Sequence, residues 1–229
     1  MNHDGMHRGV CRCVRSLIDG VRRYEETKRG RYSARFAALA NGQEPLALLI
    51  TCADSRVVPS LVALSNPGEL FVVRNVANLV PTSADAEHGD ASVASSVWYA
   101  LEVLNIPDVI VCGHSGCGGI KALMGPSPPS AALRRWLATA SSALTRWREG
   151  GPLDPSLADF DQVSQISVLQ QLDNLTTHEL VRARVESGAV RLHAWWFDIA
   201  KGQLLAHSKD AGRFLPAIDA HGPETSAAE

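Results

Sequence analysis

The stretch Pro45-Leu46-Ala47-Leu48-Leu49-Ile50-Thr51-Cys52-Ala53-Asp54-Ser55-Arg56 decides the fold. It is continuously apolar until Thr51. Such a run suits a strand covered on both faces, as in a parallel sheet. Cys52 to Arg56 then fall at the strand's carboxyl end. Two later runs read as further strands, Glu69 to Asn75 and Pro107 to Cys112, the second leading into Gly113-His114-Ser115-Gly116-Cys117-Gly118-Gly119. Strands alternating with helical segments make an α/β fold. It has a mostly parallel central sheet flanked by helices, an N-terminal helical arm and a C-terminal β-hairpin extension.

Outward from this stretch the pattern is helical. Val14, Leu17, Ile18, Val21 and Tyr24 recur at three- and four-residue spacing. They predict a helical arm over residues 14–40, interrupted near Gly30 and stopped by Asn41-Gly42. The arm has few core residues of its own and is expected to lie on another surface, such as a second subunit. Pro59 to Leu64 reads as a short helix and Pro81 to Asp90 as a polar loop. Val93, Val97, Ala100, Leu101 and Leu104 mark an amphipathic helix. Ala131 to Trp147 reads as one helix and Phe160 to Val185 as one long helical region. Val190 to Phe197 and Gln203 to His207, joined by Lys201-Gly202, form the hairpin. No linker divides the chain, so one domain is expected over residues 1–229, with residues 1–13 and 217–229 as disordered tails.

Composition narrows the function. The 229 residues are 45% hydrophobic, enough for a sizeable core. A formal net charge of -2 leaves no broad basic surface for nucleic acid. No apolar run approaches a membrane span, and the polar start lacks the apolar centre of a secretory signal. Five cysteines, an odd count, then read as reduced thiols in a cytoplasmic protein.

Ligands bind outside the carboxyl ends of strands in open α/β sheets. That makes Cys52 to Arg56 and His114 to Cys117 candidates for one site. His114-x-x-Cys117 is a compact ligand pair, and Cys52 supplies a third donor of the kind zinc takes. Three ligands leave one position open. Asp54 can fill it or can stand beside a bound water, and Arg56 can hold Asp54 by a paired bond. Read alone, each motif is weak, and buried cysteines often serve only as small hydrophobes. A metal site and simple packing both stay open on these residues alone. Cys112 reads as core, and Cys11-x-Cys13 suits no common zinc knuckle.

Taken together, three segments resemble the β-class carbonic anhydrases. They are Cys52-Ala53-Asp54-Ser55-Arg56, Gly68 through Asn78 with its Arg74-Asn75, and Gly113-His114-Ser115-Gly116-Cys117-Gly118-Gly119. The likeness runs from about Val14 to about Pro216, and late segments such as Asn174-Leu175 and Leu192 to Asp198 fit as well. The resemblance implies Zn2+ held by Cys52, His114 and Cys117, with Asp54 and Arg56 as a catalytic dyad. It implies reversible hydration of CO2 to bicarbonate and a proton, in a homodimer or higher oligomer. Gln43, Phe71 and Tyr99 stand where the family lines its cleft, and backbone amides near Gly118 are expected to receive the oxyanion. One sub-class, inhibited by bicarbonate at a non-catalytic site, carries tryptophan three residues before the first cysteine ligand. Leu49 stands there in this chain, although Arg74, also used in that site, is present. The resemblance therefore implies the non-allosteric, plant-like sub-class. Trp98 is a departure, since the family often has glutamate there. The rival readings are hydrolysis of carbonyl sulfide or carbon disulfide on the same scaffold, a non-catalytic zinc-stabilised dimer, and a redox sensor using Cys11, Cys13 and Cys112.

Overall fold

The computed structural model describes residues 14–63 and 65–220. Cys11, Cys13, Leu64, the expected tail 1–13 and residues 221–229 of the expected tail 217–229 lie outside the described residues. The chain divides into two compact units, residues 1–43 and 44–229. In the first, α1 (Val14–Thr27) and α2 (Arg29–Leu39) form a helical pair that breaks at Lys28, not at Gly30. Neither helix has a buried residue. Val14, Leu17, Ile18 and Val21 are all exposed, so the apolar stripe anticipated from their spacing is present and open.

The second unit carries the sheet. Its elements are β1 (Ala47–Cys52), α3 (Pro59–Val62), β2 (Leu70–Asn75), α4 (Ser83–His88), α5 (Ser92–Trp98) and β3 (Asp108–His114). Then come α6 (Gly118–Met124), α7 (Ala131–Leu137), α8 (Ser141–Gly150), α9 (Asp159–Thr176) and α10 (Glu179–Glu186). The described residues end in β4 (Arg191–Asp198), β5 (Gln203–Ser208), β6 (Arg213–Pro216) and the single turn α11 (Ala217–Ala220), which is helical where the tail 217–229 was expected to be disordered. Strand order is β2-β1-β3-β4-β5-β6. The first four strands are parallel neighbours, and β4-β5 and β5-β6 are antiparallel.

β1 is buried along its whole length, as its apolar run requires. One face of the sheet, with Leu48, Ile50, Val109, Val111 and Trp196, packs into the main core with Val97, Leu101, Val168 and Leu175. Burying each such side chain contributes roughly 1.5–3 kcal/mol. Ala47, Leu49, Ile110 and Cys112 cluster on the opposite face with Trp195. Cys112 is thus core, as its place inside a strand suggested. Register sets Thr51 opposite Cys112 and His114 opposite Phe197. The carboxyl ends of β1 and β3 therefore lie side by side.

Five expectations change. Residues 83–88 are helical where a polar loop was expected, because Thr82 accepts from the Asp85 amide and donates to its carboxylate. The segment after Ser92 widens into a π-helical turn at Tyr99–Val103. Residues 131–147 are two helices around the 3-10 turn Ala138–Ala140. The 160–185 region breaks after Thr176, where the Thr177 hydroxyl bonds the Asn174 carbonyl and also accepts from the Ser83 amide. The hairpin gains a third strand, β6, too short to show a period and ending in a proline at the sheet edge.

At Gly113 the side chains of α9 pack directly against the strand backbone. A Cβ there would lie 2.6 Å from Val168 Cγ2 and 3.2 Å from Trp196 Cδ1. Gly113→Ala is expected to cost about 1–3 kcal/mol by overpacking, read as a lower urea midpoint with unchanged slope. At the opposite end of the strands, Asp108 is bonded by Arg191 and His193. Burial pushes the Asp108 carboxyl up, but these two bonds hold it below the ordinary carboxylate value. Its contribution is present above about pH 4 and is lost as pH falls through the lower folded value. Arg191 is mostly exposed, which keeps the effect small. Asp108→Asn should therefore be slightly less stable than the native chain at pH 7, and the gap should close in acid urea titrations below about pH 4.

Candidate metal centre

Three donors converge at the adjacent strand ends. Cys52 is the last residue of β1 and His114 the last of β3, while Cys117 immediately precedes α6. Their donor atoms all lie within 4.8 Å of one another, and all three residues are buried. The His114 ring shows what the cluster is built for. Its Nδ1 lies 2.9 Å from the Ser115 carbonyl, which can only accept, so Nδ1 carries the hydrogen. Nε2 then presents a lone pair, yet it is fully buried without a hydrogen-bond partner. An orphaned buried acceptor is costly unless a ligand takes it. Two sulfurs and one imidazole nitrogen form a soft, three-membered donor set that fits a zinc ion with one position left open.

The two thiols behave as one acid. Cys52 is drawn well below the ordinary thiol value, chiefly by a hydrogen bond from Cys117 and against the cost of burial. Cys117 is pushed up by that same bond, by burial and by the Cys52 anion. The pair shares one proton, which a divalent cation would displace. Burial lowers the affinity of His114 for a proton, but the neighbouring Cys52 thiolate outweighs it and leaves the imidazole more basic than usual. Cys112, by contrast, is pushed up to about 12 by burial and stays a thiol.

The backbone around the sulfurs is built to serve them. The Ala77 amide donates to Cys52 Sγ at 3.3 Å. To do so Ala77 adopts φ 66 and Asn78 φ 50, conformations that non-glycine residues hold only under constraint. The constraint comes from Asn75, whose side chain bonds both the amide and the carbonyl of Leu79, and from Trp136, which donates to the Val76 carbonyl. Gly119 lets α6 approach this turn; a Cβ there would meet the Ala77 Cβ at 2.8 Å.

Asp54 stands beside the donors but belongs to Arg56. Arg56 Nε donates to Oδ1 at 2.9 Å and Nη2 to Oδ2 at 2.7 Å, and the Arg56 amide donates to Oδ1 at 3.0 Å. This arrangement holds the Asp54 carboxyl well below the usual carboxylate range. The nearer oxygen is 3.9 Å from His114 Nε2. The Asp54–Arg56 pair and the three donors are therefore together in one place. Phe71 and Tyr99 stack on each other, with centroids 6.0 Å apart and an interplanar angle of 22°. Gly118 opens α6, exposed, with clear space where a side chain would be. Gln43 is the exposed last residue of the N-terminal unit. Leu49 is core beneath the site.

Some supporting residues escaped the sequence reading. Arg74, noted there only as a sub-class marker, donates to the carbonyls of Cys52, Asp54 and Val57 and so pins the turn that carries the dyad. Ser164 donates to the His114 carbonyl and accepts from Trp196 Nε1. The Ser115 hydroxyl accepts from the Ile199 amide. A polar residue on the buried side of α9, such as Ser164, was the one sequence signal available.

Comparison with known proteins agrees with this geometry. The carbonic anhydrase family model matches residues 47–204. A carbonic anhydrase of Pseudomonas aeruginosa is 37% identical over 220 residues, covering 92% of this chain and 97% of its own. The solved structure of the β-carbonic anhydrase CcaA superposes with a TM-score of 0.81 at 29% identity, covering 90% of this chain and 92% of that one. A tetrameric β-carbonic anhydrase of Sordaria macrospora gives a TM-score of 0.73 at 25% identity, covering 84% and 95%. With its sheet, its three donors and its carboxylate–guanidinium pair in place, the chain belongs to the carbonic anhydrase family, in the β class.

Proposed function

We propose that the chain catalyses the reversible hydration of CO2 to bicarbonate and a proton, with zinc held by Cys52, His114 and Cys117. The observation that carries this reading is the buried, unpartnered His114 Nε2 beside two sulfurs and the Asp54–Arg56 pair. When bound there, zinc supplies the positive charge that makes a water acidic enough to act as a nucleophile near neutral pH. The chain's own residues do the rest. Asp54 keeps its negative charge throughout the working range, because Arg56 holds its proton affinity so low. It therefore acts as a hydrogen-bond acceptor that orients the nucleophile, and it is too weak a base to take the proton away. Arg56 fixes the carboxylate in the plane of its own guanidinium. Phe71 and Tyr99 offer an apolar wall for CO2, Gln43 helps place it, and the amides at Gly118 face the oxyanion that forms.

Asp54 tied to Arg56 on both oxygens, with Leu49 below it, supports the non-allosteric, plant-like sub-class. In such a site the carboxylate stays off the metal in the working state. Three buried free thiols among the described residues support a reducing, cytoplasmic setting. No described helix is long and apolar enough to cross a membrane.

The protein works as a homodimer or a higher homo-oligomer in this reading. The exposed stripe of α1 is the support, since an apolar helix face left in water gains stability only by being covered. Exposed Trp98, Tyr99 and Val103 add apolar surface on the second unit.

Stopped-flow CO2 hydration with zinc analysis on the same sample tests the reading, and parallel sulfide-release assays separate it from carbonyl sulfide or carbon disulfide hydrolysis. Asp54→Asn is expected to keep its zinc while kcat falls about a hundredfold, as for a mispositioned reacting group. Loss of zinc instead would make Asp54 structural. For the assembly, Leu17→Glu combined with Val21→Glu should lower the mass seen by light scattering toward that of one chain. An unchanged mass would place the subunit contact elsewhere.

A further inference from the structure

Asp161, in the first turn of α9, belongs to neither the donor set nor the dyad. Its Oδ1 accepts the Gly116 amide at 2.6 Å, across 45 residues of chain. Gly116 sits in the turn between His114 and Cys117 with φ 64. That conformation directs its amide and its carbonyl to different partners, and glycine adopts it without strain. The carbonyl accepts from Arg56 Nη2 at 3.2 Å. The same Nη2 donates to Asp54 Oδ2. One peptide residue is thus held on both sides, by Asp161 through its N–H and by Arg56 through its C=O. A Cβ on Gly116 would meet the two Arg56 Nη atoms only at 3.8 and 3.9 Å, so the glycine is needed for its backbone angle and not for space.

Arg56 needs this hold. Its side chain is about half exposed, and among the described residues its hydrogen bonds beyond Asp54 itself go to the Gly116 carbonyl. An exposed guanidinium on a flexible stem loses its orientation readily. Asp161 is only partly buried, but it lies on a long helix fixed in the core and is a rigid base. Ser164, one turn further along α9, grips the same loop through the His114 carbonyl. α9 therefore holds the loop at two points, one on the ligand side and one on the dyad side.

We propose that Asp161 is a positioning residue for the CO2 hydration reaction, acting through the Gly116 peptide on Arg56 and so on the direction of the Asp54 carboxylate. It touches no reacting atom. The inference rests on the carbonic anhydrase reading above and adds a further polar side chain to the working unit.

A double-mutant cycle tests it. Asp161→Ala should lower kcat about tenfold with KM changed by no more than about twofold, and with the zinc content of the native chain. Asp161→Asn keeps an acceptor oxygen and should recover most of that loss. In an Arg56→Ala background, Asp161→Ala should cost no more than about a further twofold, because the link it acts through is already gone. A merely structural role would instead give losses that multiply in the double variant, or a fall in zinc, and either result overturns the proposal. So does full activity in Asp161→Ala. Should Asp161→Ala not fold, Asp161→Glu carries the same cycle, since its longer arm displaces the Gly116 amide while keeping the charge; losses that multiply with those of Arg56→Ala again overturn the proposal. A native chain that holds zinc and hydrates no CO2 would refute the underlying reading, and this is seen before any variant is made.

Discussion

The structure depends on keeping two cysteine sulfurs and one imidazole nitrogen together in a buried place. Such groups are costly to bury unpaired, and each here has its charge or lone pair managed. Cys52 receives the Ala77 amide and the Cys117 proton, and His114 is fixed in one tautomer by the Ser115 carbonyl. What is left over is a single lone pair and one shared proton, the deficit that a divalent cation fills. Several features that look incidental in the chain follow from this. The strained Ala77 and Asn78, the bare Gly119 and the Ser164 hydroxyl of α9 all bring backbone to the donors.

A second constraint separates metal from carboxylate. Aspartate is a competent zinc ligand, and Asp54 is near enough to be tempted. Arg56 engages both of its oxygens, and Arg74 fixes the turn beneath by binding the carbonyls of Cys52, Asp54 and Val57. The bonds from Arg56 also keep Asp54 ionised. A carboxylate held this acidic accepts a hydrogen bond well and takes up a proton poorly.

Much of the fold was legible in the residues. The apolar run ending at Thr51 identified a buried parallel strand, and two similar runs identified its neighbours, because a strand covered on both faces has no polar positions to spare. The donors were legible for a related reason: carboxyl ends of parallel strands are where side chains can converge without disturbing the ladder. Helix boundaries were less legible. Thr82 starts a helix by capping its first turn through Asp85, and Thr177 ends one with a hydroxyl that also accepts from Ser83 in another element; a periodicity of apolar residues carries no trace of either. β6 was missed because four residues show no period.

The residues alone pointed to the α/β architecture, set Cys52, His114 and Cys117 at two strand ends and left Asp54 within reach of Arg56 in a turn; the likeness to the β-class carbonic anhydrases gave them their roles. What holds them came only with the folded chain. Arg74 reaches back 22 residues to Cys52, Ala77 reaches back 25, Asp161 reaches Gly116 over 45, and Arg56 reaches Gly116 over 60. Bonds that close loops of that length exist only once the sheet has brought strand ends together, and no local pattern of residue types specifies them.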